Sequence, residues 1–381
     1  MSAPEPPPEV RRGLAGVVAD TTAVSEQDGP AARLTYRGYP VQDLARTCGY
    51  EEVAHLLLVG ELPGTADLHA FRRRERALRP LPAGARAALD AMPRDAHPLD
   101  VLRTVRSAAG ARGAGDPRAA PAAAEGAESD AALALVARTP VVVAACARRL
   151  AGREPLDPDP DRPLADDLLR MCRGTPAHPD EVRALEMSLI LYAELGFNAS
   201  TFTARTVVST GADLTAAVVA ALAALGGPLH GGANEEVWRT MRAIGDPAGA
   251  DAWLRAEVDA GRRAIGFGHR VFRREDPRAA PMREALAALA ARCGDDGARA
   301  LAMHDALVAS MARAKGIPPN VDLAAGPAYA LLGMPTALFS ALFAVGRTAG
   351  WCAHALEQRA HNRIVHPLAA YVGPPPREVP R

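Results

Sequence analysis

Apolar residues recur along this chain at intervals of three and four, not two. Leu214, Val218, Val219, Leu222 and Leu225 form one stripe that stops at Gly226-Gly227, and Met303, Leu307 and Met311 form another. Side chains so spaced share one face of an α-helix, so these stretches are expected to be helices that bury one side in a core. Val53, Leu56 and Leu57 ahead of Gly60 predict a shorter helix with a glycine stop. Thr139-Pro140, then Val141 to Leu150, then Gly152, predict an N-cap, a first-turn proline, a helix and a C-terminal glycine. Composition agrees: 49% of residues are hydrophobic but only 4% aromatic, and Ala, Leu and Val favour helices over a β-sandwich. The strand candidates lie near the N-terminus, where Gly16-Val-Val-Ala and Arg33-Leu-Thr-Tyr surround a turn at Asp28-Gly29-Pro30. The expected fold class is mainly α with a small N-terminal β-hairpin.

A length of 381 residues accommodates two domains with a substantial core. A formal net charge of zero speaks against a nucleic-acid footprint or a polybasic membrane anchor. Cys48, Cys146, Cys172, Cys293 and Cys352 are scattered without a C-x-x-C pair, which points to a reducing compartment and away from a structural zinc site. His354, His361 and His366 lack a usual zinc spacing, so no metal is expected there. Met1 to Val10 is proline-rich and acidic, unlike a secretory signal. Leu323 to Gly346 carries no charge, but Gly326-Pro327 and Gly333-Met-Pro335 break it into two buried helices rather than a span. A soluble, cytoplasmic protein is the expectation. Ala108 to Ala131 is Ala/Gly/Pro-rich and predicts a surface excursion; Glu154 to Asp161 predicts a proline-stiffened connector.

Three segments concentrate Gly, His, Asp and Arg beyond what core packing needs. In Gly226-Gly-Pro-Leu-His230-Gly-Gly-Ala-Asn234 one helix ends and another starts after Gly232, through Val237 and Met241. The partial positive charge at that helix start disfavours imidazolium, leaving a neutral ring able to donate to a substrate oxygen. An ordinary structural histidine is the alternative. In Gly266-Phe-Gly268-His269-Arg-Val-Phe-Arg-Arg-Glu-Asp276-Pro277-Arg278, no strand precedes the Gly-x-Gly, so a dinucleotide site is not indicated. His269 and Arg278 suggest a proton donor beside a carboxylate clamp, against a solvated basic turn as the plain alternative. In Lys315-Gly-Ile-Pro-Pro-Asn320-Val-Asp322 a carboxylate stands at the lip of an apolar segment. Desolvation there would raise its pKa towards that of a useful general base; a helix N-cap is the other reading.

Taken in order, these segments resemble the citrate synthase family. The likeness covers nearly the whole chain: Gly13-Leu-Ala-Gly-Val-Val, Leu34-Thr-Tyr-Arg-Gly-Tyr, Glu51-Glu-Val-Ala, Gly60-Glu-Leu-Pro, the three segments above, Phe343-Ala-Val-Gly-Arg347 and Gly350-Trp-Cys-Ala-His354. The resemblance implies a two-domain helical homodimer that condenses acetyl-CoA with a 2-oxo acid and hydrolyses the thioester. It implies a large domain of residues 1–230 and 325–381, and a small domain of 231–324 that closes over the substrates. By matching position, Asp322 would take the acetyl-CoA methyl proton, His230 would hold the thioester oxygen, and His269 would protonate the acceptor ketone. Arg278 and Arg347 match carboxylate-binding arginines. Gly268, Asn320 and Lys315, the only lysine in the chain, are candidates for contacts to CoA. No permanently bound cofactor is implied; acetyl-CoA is a co-substrate.

The chain also departs from the family pattern. Leu-His-Ala-Asp-His-Glu becomes Leu191-Tyr192-Ala193-Glu194-Leu195-Gly196, and the second of those histidines, now Leu195, normally helps to bind the 2-oxo acid. The C-terminal Arg-Pro, whose arginine reaches the partner subunit's site, becomes His366-Pro367. Loss of a charged hydrogen-bond pair costs about 1.5–3 kcal/mol, a tenfold to hundredfold weakening of binding. Three readings stay open: a citrate synthase with a rearranged oxaloacetate site, a paralogue for another 2-oxo acid or for propionyl-CoA, and a non-catalytic homologue. Intact His230, His269 and Asp322 speak against the last.

Overall fold

The computed structural model of the chain describes residues 10–110 and 127–379. Sixteen α-helices occupy most of the described chain, with one three-stranded antiparallel sheet near the N-terminus. The mainly helical expectation holds. The strands, however, are Ser25–Asp28, Arg33–Tyr36 and the short Tyr39–Pro40, with Ser25 opposite Tyr36 and Asp28 opposite Arg33. The turn falls at the expected Asp28-Gly29-Pro30, but Gly16 to Ala19 is not a strand. It is exposed, and among the described residues no strand pairs with it.

Helix Phe339–Ala360 is the axis of the larger core. Almost every residue on it is buried, and it packs against helices Tyr50–Val59, Ala127–Leu150, Pro179–Tyr192, Ala199–Ser209 and Leu214–Leu225. Gly350 permits this approach: a Cβ there would lie 2.2 Å from the Ala193 carbonyl oxygen. The Leu214–Leu225 stripe is a helix with the predicted bounds, and Met303, Leu307 and Met311 lie buried on helix Gly294–Ala314.

Helix Ala127–Leu150 differs from expectation, because Pro140 sits inside it rather than in its first turn. A proline interrupts a helical hydrogen bond, but close packing in the core supports the helix through it. This helix, not Leu323 to Gly346, has the length and apolarity of a span; 78% of its apolar window is buried inside the fold. Leu323 to Gly346 is divided as predicted between helices Val321–Leu331 and Phe339–Ala360. The excursion expected at 108–131 lies mostly outside the described residues. The connector at 154–161 carries no helix or strand, and arginines anchor it: Arg79 donates to the Asp159 carbonyl and Arg170 to the Asp157 carbonyl.

A second hydrophobic cluster is separate from the first. It joins Val237, Met241, Ala250, Met303, Leu307 and Leu323, with Trp238, Trp253 and Phe267 at its edge. The site lies where the two clusters meet.

Candidate active site

Helix Val321–Leu331 starts at Asn320, whose side chain accepts from the Asp322 backbone N–H. The N-cap is therefore Asn320, which leaves the Asp322 carboxylate free for another task. That carboxylate accepts a hydrogen bond at Oδ1 from the Tyr192 hydroxyl, 2.5 Å away. Burial raises the Asp322 pKa, opposed by the Tyr192 bond and the charge of Arg278.

The His269 loop is fastened to this helix start. The backbone N–H of Gly268 donates to Pro318, that of Asn320 donates to Gly266, and the Asn320 amide donates to Gly268. Gly266 has φ +93, and a Cβ there would lie 2.8 Å from Leu323 Cδ1, so the fastening requires glycine. The tip of the β-hairpin backs the same loop, since a Cβ on Gly29 would meet the Val271 carbonyl oxygen at 2.5 Å.

Both histidines have one ring nitrogen occupied by a backbone donor. His269 Nδ1 accepts from the N–H groups of Val271 and Phe272 at 3.1 and 3.2 Å. His230 Nε2 accepts from the Ser200 N–H at 3.3 Å and lies 2.8 Å from Ser200 Oγ, which Trp351 also holds. A backbone N–H can only donate, so each neutral ring carries its proton on the other nitrogen: Nδ1 of His230 and Nε2 of His269. Burial, then the charge of Arg347, lowers the His230 pKa to about 4. Burial, then Arg278, lowers that of His269 to about 4. Two neutral, oriented N–H donors result.

Arg347 is almost fully buried on helix Phe339–Ala360. Its Nε donates to the Tyr192 carbonyl, its guanidinium lies over the Phe343 ring, and its buried Nη2 has no hydrogen-bond partner among the described residues. Burial lowers its pKa to about 10, with Glu194 opposing. Its charge reaches His230, His269 and Asp322, so all four groups share one site. Arg278 pairs with Asp276 through Nε and Nη2, both at 2.9 Å. Asp276 also accepts from the Val321 N–H, tying this pair to the start of the Asp322 helix.

The structure thus gathers His230, His269, Asp322, Arg278 and Arg347, with Gly268 and Asn320 joining two of the loops. Lys315 is exposed just beyond helix Gly294–Ala314, and His366 is exposed in the segment after Ala360. Neither touches the gathered groups within this one chain. Sequence reasoning missed Ser200, Asp276 and the contact of Tyr192. Ser200 stood in Phe197-Asn-Ala-Ser-Thr-Phe202 and Asp276 beside Arg278, so a signal existed for both; Tyr192 had registered only as a departure. Among the described residues no group of three His, Cys, Asp or Glu side chains is placed to hold a metal ion.

Comparison with known proteins places the chain among relatives of similar sequence and fold. Residues 13–368 match the family described as "Citrate synthase, C-terminal domain". The chain is 46% identical to a 2-methylcitrate synthase of Mycobacterium tuberculosis, covering 98% of this chain and 93% of that one. It is 44% identical to a citrate synthase of Mycolicibacterium smegmatis, covering 98% and 97%. Citrate synthase from Pyrobaculum aerophilum superposes with a TM-score of 0.88 at 35% identity, covering 97% of this chain and 94% of that one. The ternary complex of Thermoplasma acidophilum citrate synthase with carboxymethyl coenzyme A and oxaloacetate gives 0.89 at 29% identity, covering 97% and 98%. In sequence and fold, the chain belongs to the citrate synthase family.

Proposed function

We propose that this protein condenses a short acyl-CoA, propionyl-CoA as well as acetyl-CoA, with oxaloacetate or a close 2-oxo acid and then hydrolyses the thioester. The observation that carries this reading is the set of two neutral, tautomerically fixed histidines around a buried carboxylate and an arginine with an unpaired Nη2. Asp322 removes a proton from the α-carbon of the acyl group. That carbon acid is far too weak for a carboxylate alone, so His230 Nδ1–H donates to the thioester oxygen as negative charge develops there. The enolic carbon attacks the ketone carbon of the acceptor, and His269 Nε2–H passes its proton to the new alkoxide. Arg347 and Arg278 hold the acceptor carboxylates, and water then cleaves the thioester to release CoA.

Relatives at nearly equal identity carry the names 2-methylcitrate synthase and citrate synthase, which supports use of both donors. Leu195 and His366 narrow the acceptor's polar contacts, so oxaloacetate is bound less tightly than by an enzyme with histidine and arginine there. The second hydrophobic cluster supports a small domain at 231–324 that closes over the substrates and excludes water during bond formation. We also propose a cytoplasmic homodimer. Ile364, Leu368, Tyr371 and Val372 stand exposed after the last helix, an apolar segment suited to a second copy.

Thiol release from acetyl-CoA and propionyl-CoA with a panel of 2-oxo acids tests the reading. Release that needs both substrates supports it. If no acid releases CoA faster than Asp322→Ala does, the enzyme reading fails.

A further inference from the structure

We propose that Tyr192 is a positioning residue for Asp322: its hydroxyl holds Oδ1 and leaves Oδ2 as the oxygen that meets the donor carbon. This rests on the reading of Asp322 as the base. The Tyr192 side chain is fully enclosed, and its hydroxyl has no hydrogen-bond partner among the described residues other than Asp322 Oδ1 at 2.5 Å. No other described group donates to that carboxylate. The ring packs on Phe343, with centroids 4.6 Å apart, and the Arg347 guanidinium lies on the same Phe343 ring. The Tyr192 carbonyl in turn receives Arg347 Nε at 2.5 Å. Hydroxyl, ring and carbonyl each have a partner, so the tyrosine is held at three points.

A carboxylate free to rotate presents either oxygen in many orientations. One held at Oδ1 has that orientation set before the substrate arrives. The bond also favours the charged form of Asp322, offsetting part of what burial does. The other charged or titratable groups around Asp322 are Arg278 and Asp276 ahead of helix Ala279–Ala290, Arg347 on helix Phe339–Ala360, and Tyr329 on its own helix. Replacing Tyr192 by phenylalanine leaves all of these in place.

Tyr192→Phe is therefore expected to lower kcat about tenfold to hundredfold, the loss of one charged hydrogen bond in the transition state. The KM for acyl-CoA should stay near that of the parent. The acid limb of the kcat profile should move to higher pH, because Asp322 loses the donor that favours its charged form. Replacing Tyr192 by 3-fluorotyrosine keeps the shape with a stronger donor and should move the limb to lower pH. An acid limb that stays in place in both proteins overturns the proposal. Carboxyl titration by infrared difference spectroscopy against Asp322→Asn reads the same contact without turnover. If the parent protein turns over no substrate but the Asp322 band titrates at higher pH in Tyr192→Phe, the catalytic reading fails while the contact stands. If that band does not move, the positioning role fails.

Discussion

His354 Nε2 lies 2.9 Å from Glu194 Oε1, and neither side chain exposes any surface. Ser25 donates to the same oxygen, and Arg205 lies against the other side of the imidazole. Glu194 follows Tyr192 by two residues, and the Tyr36 hydroxyl holds the backbone on both sides of that step. The pair is thus a structural footing for Tyr192 and Arg347.

Burial alone would raise the Glu194 pKa, but His354 and Arg347 reverse this and hold it below the ordinary value. A depressed carboxylate pKa contributes stability that is present above the unfolded value and lost as pH falls through the folded one. Glu194→Gln should cost about 3 kcal/mol at neutral pH, since one buried partner loses its counterpart. Urea unfolding should show this difference shrinking as pH falls below the ordinary carboxylate range and the parent carboxylate also protonates.

His230 and His269 should remain neutral until pH approaches about 4. Nitrogen-15 NMR should find the proton on Nδ1 of His230 and on Nε2 of His269. In unfolded chains both rings take up protons near pH 6.5. Between that pH and about 4 the unfolded state binds more protons, so stability falls with falling pH. Replacing either histidine with glutamine should flatten this slope.

Asp322→Asn should reduce kcat by about a hundredfold to ten-thousandfold, the usual contribution of a positioned base. Acyl-CoA affinity measured by calorimetry should change little. Parallel loss of both would place the residue in binding rather than proton transfer.

Arg347→Gln should raise the KM for the 2-oxo acid about tenfold to hundredfold, since the acceptor carboxylate loses a charged donor. The same change releases the Tyr192 carbonyl, so kcat should fall as well. Arg278→Gln should weaken the acceptor too. It also leaves Asp276 buried without its partner, so its melting temperature should fall further than that of Arg347→Gln.

His366→Arg should lower the KM for oxaloacetate if residue 366 reaches the acceptor of a second copy. Mixing inactive chains that carry both His366→Arg and Asp322→Ala with unchanged chains distinguishes the two sites. Activity with the lower KM in the mixture, but in neither parent variant, places residue 366 across the interface. Sedimentation of a chain ending before Arg363 checks whether the apolar segment holds two copies together.

The helices were legible because their signals are local. The Leu214–Leu225 stripe and the two buried helices from Val321 onward follow from spacing and from glycine and proline stops. Pro140 was misplaced because propensity treats a proline as a boundary, while dense packing carried the helix through it. Gly16 to Ala19 looked like a strand from residue type alone, but a strand needs a partner and this stretch has none among the described residues.

His230, His269, Asp322 and Arg278 stood out in short runs whose residue types suggest the chemistry, and Arg347 entered through the family resemblance. The sequence by itself therefore determined the helical class and the family, and nominated the residues proposed for proton transfer. Only the tertiary structure decided which nitrogen of each histidine is free and which oxygen of Asp322 is held. Those choices depend on Ser200 meeting His230, Val271 and Phe272 meeting His269, and Tyr192 meeting Asp322 from 130 residues away. A hydrogen bond fixes a proton only when donor and acceptor come within about 3 Å, and packing alone sets that distance between elements far apart in the chain.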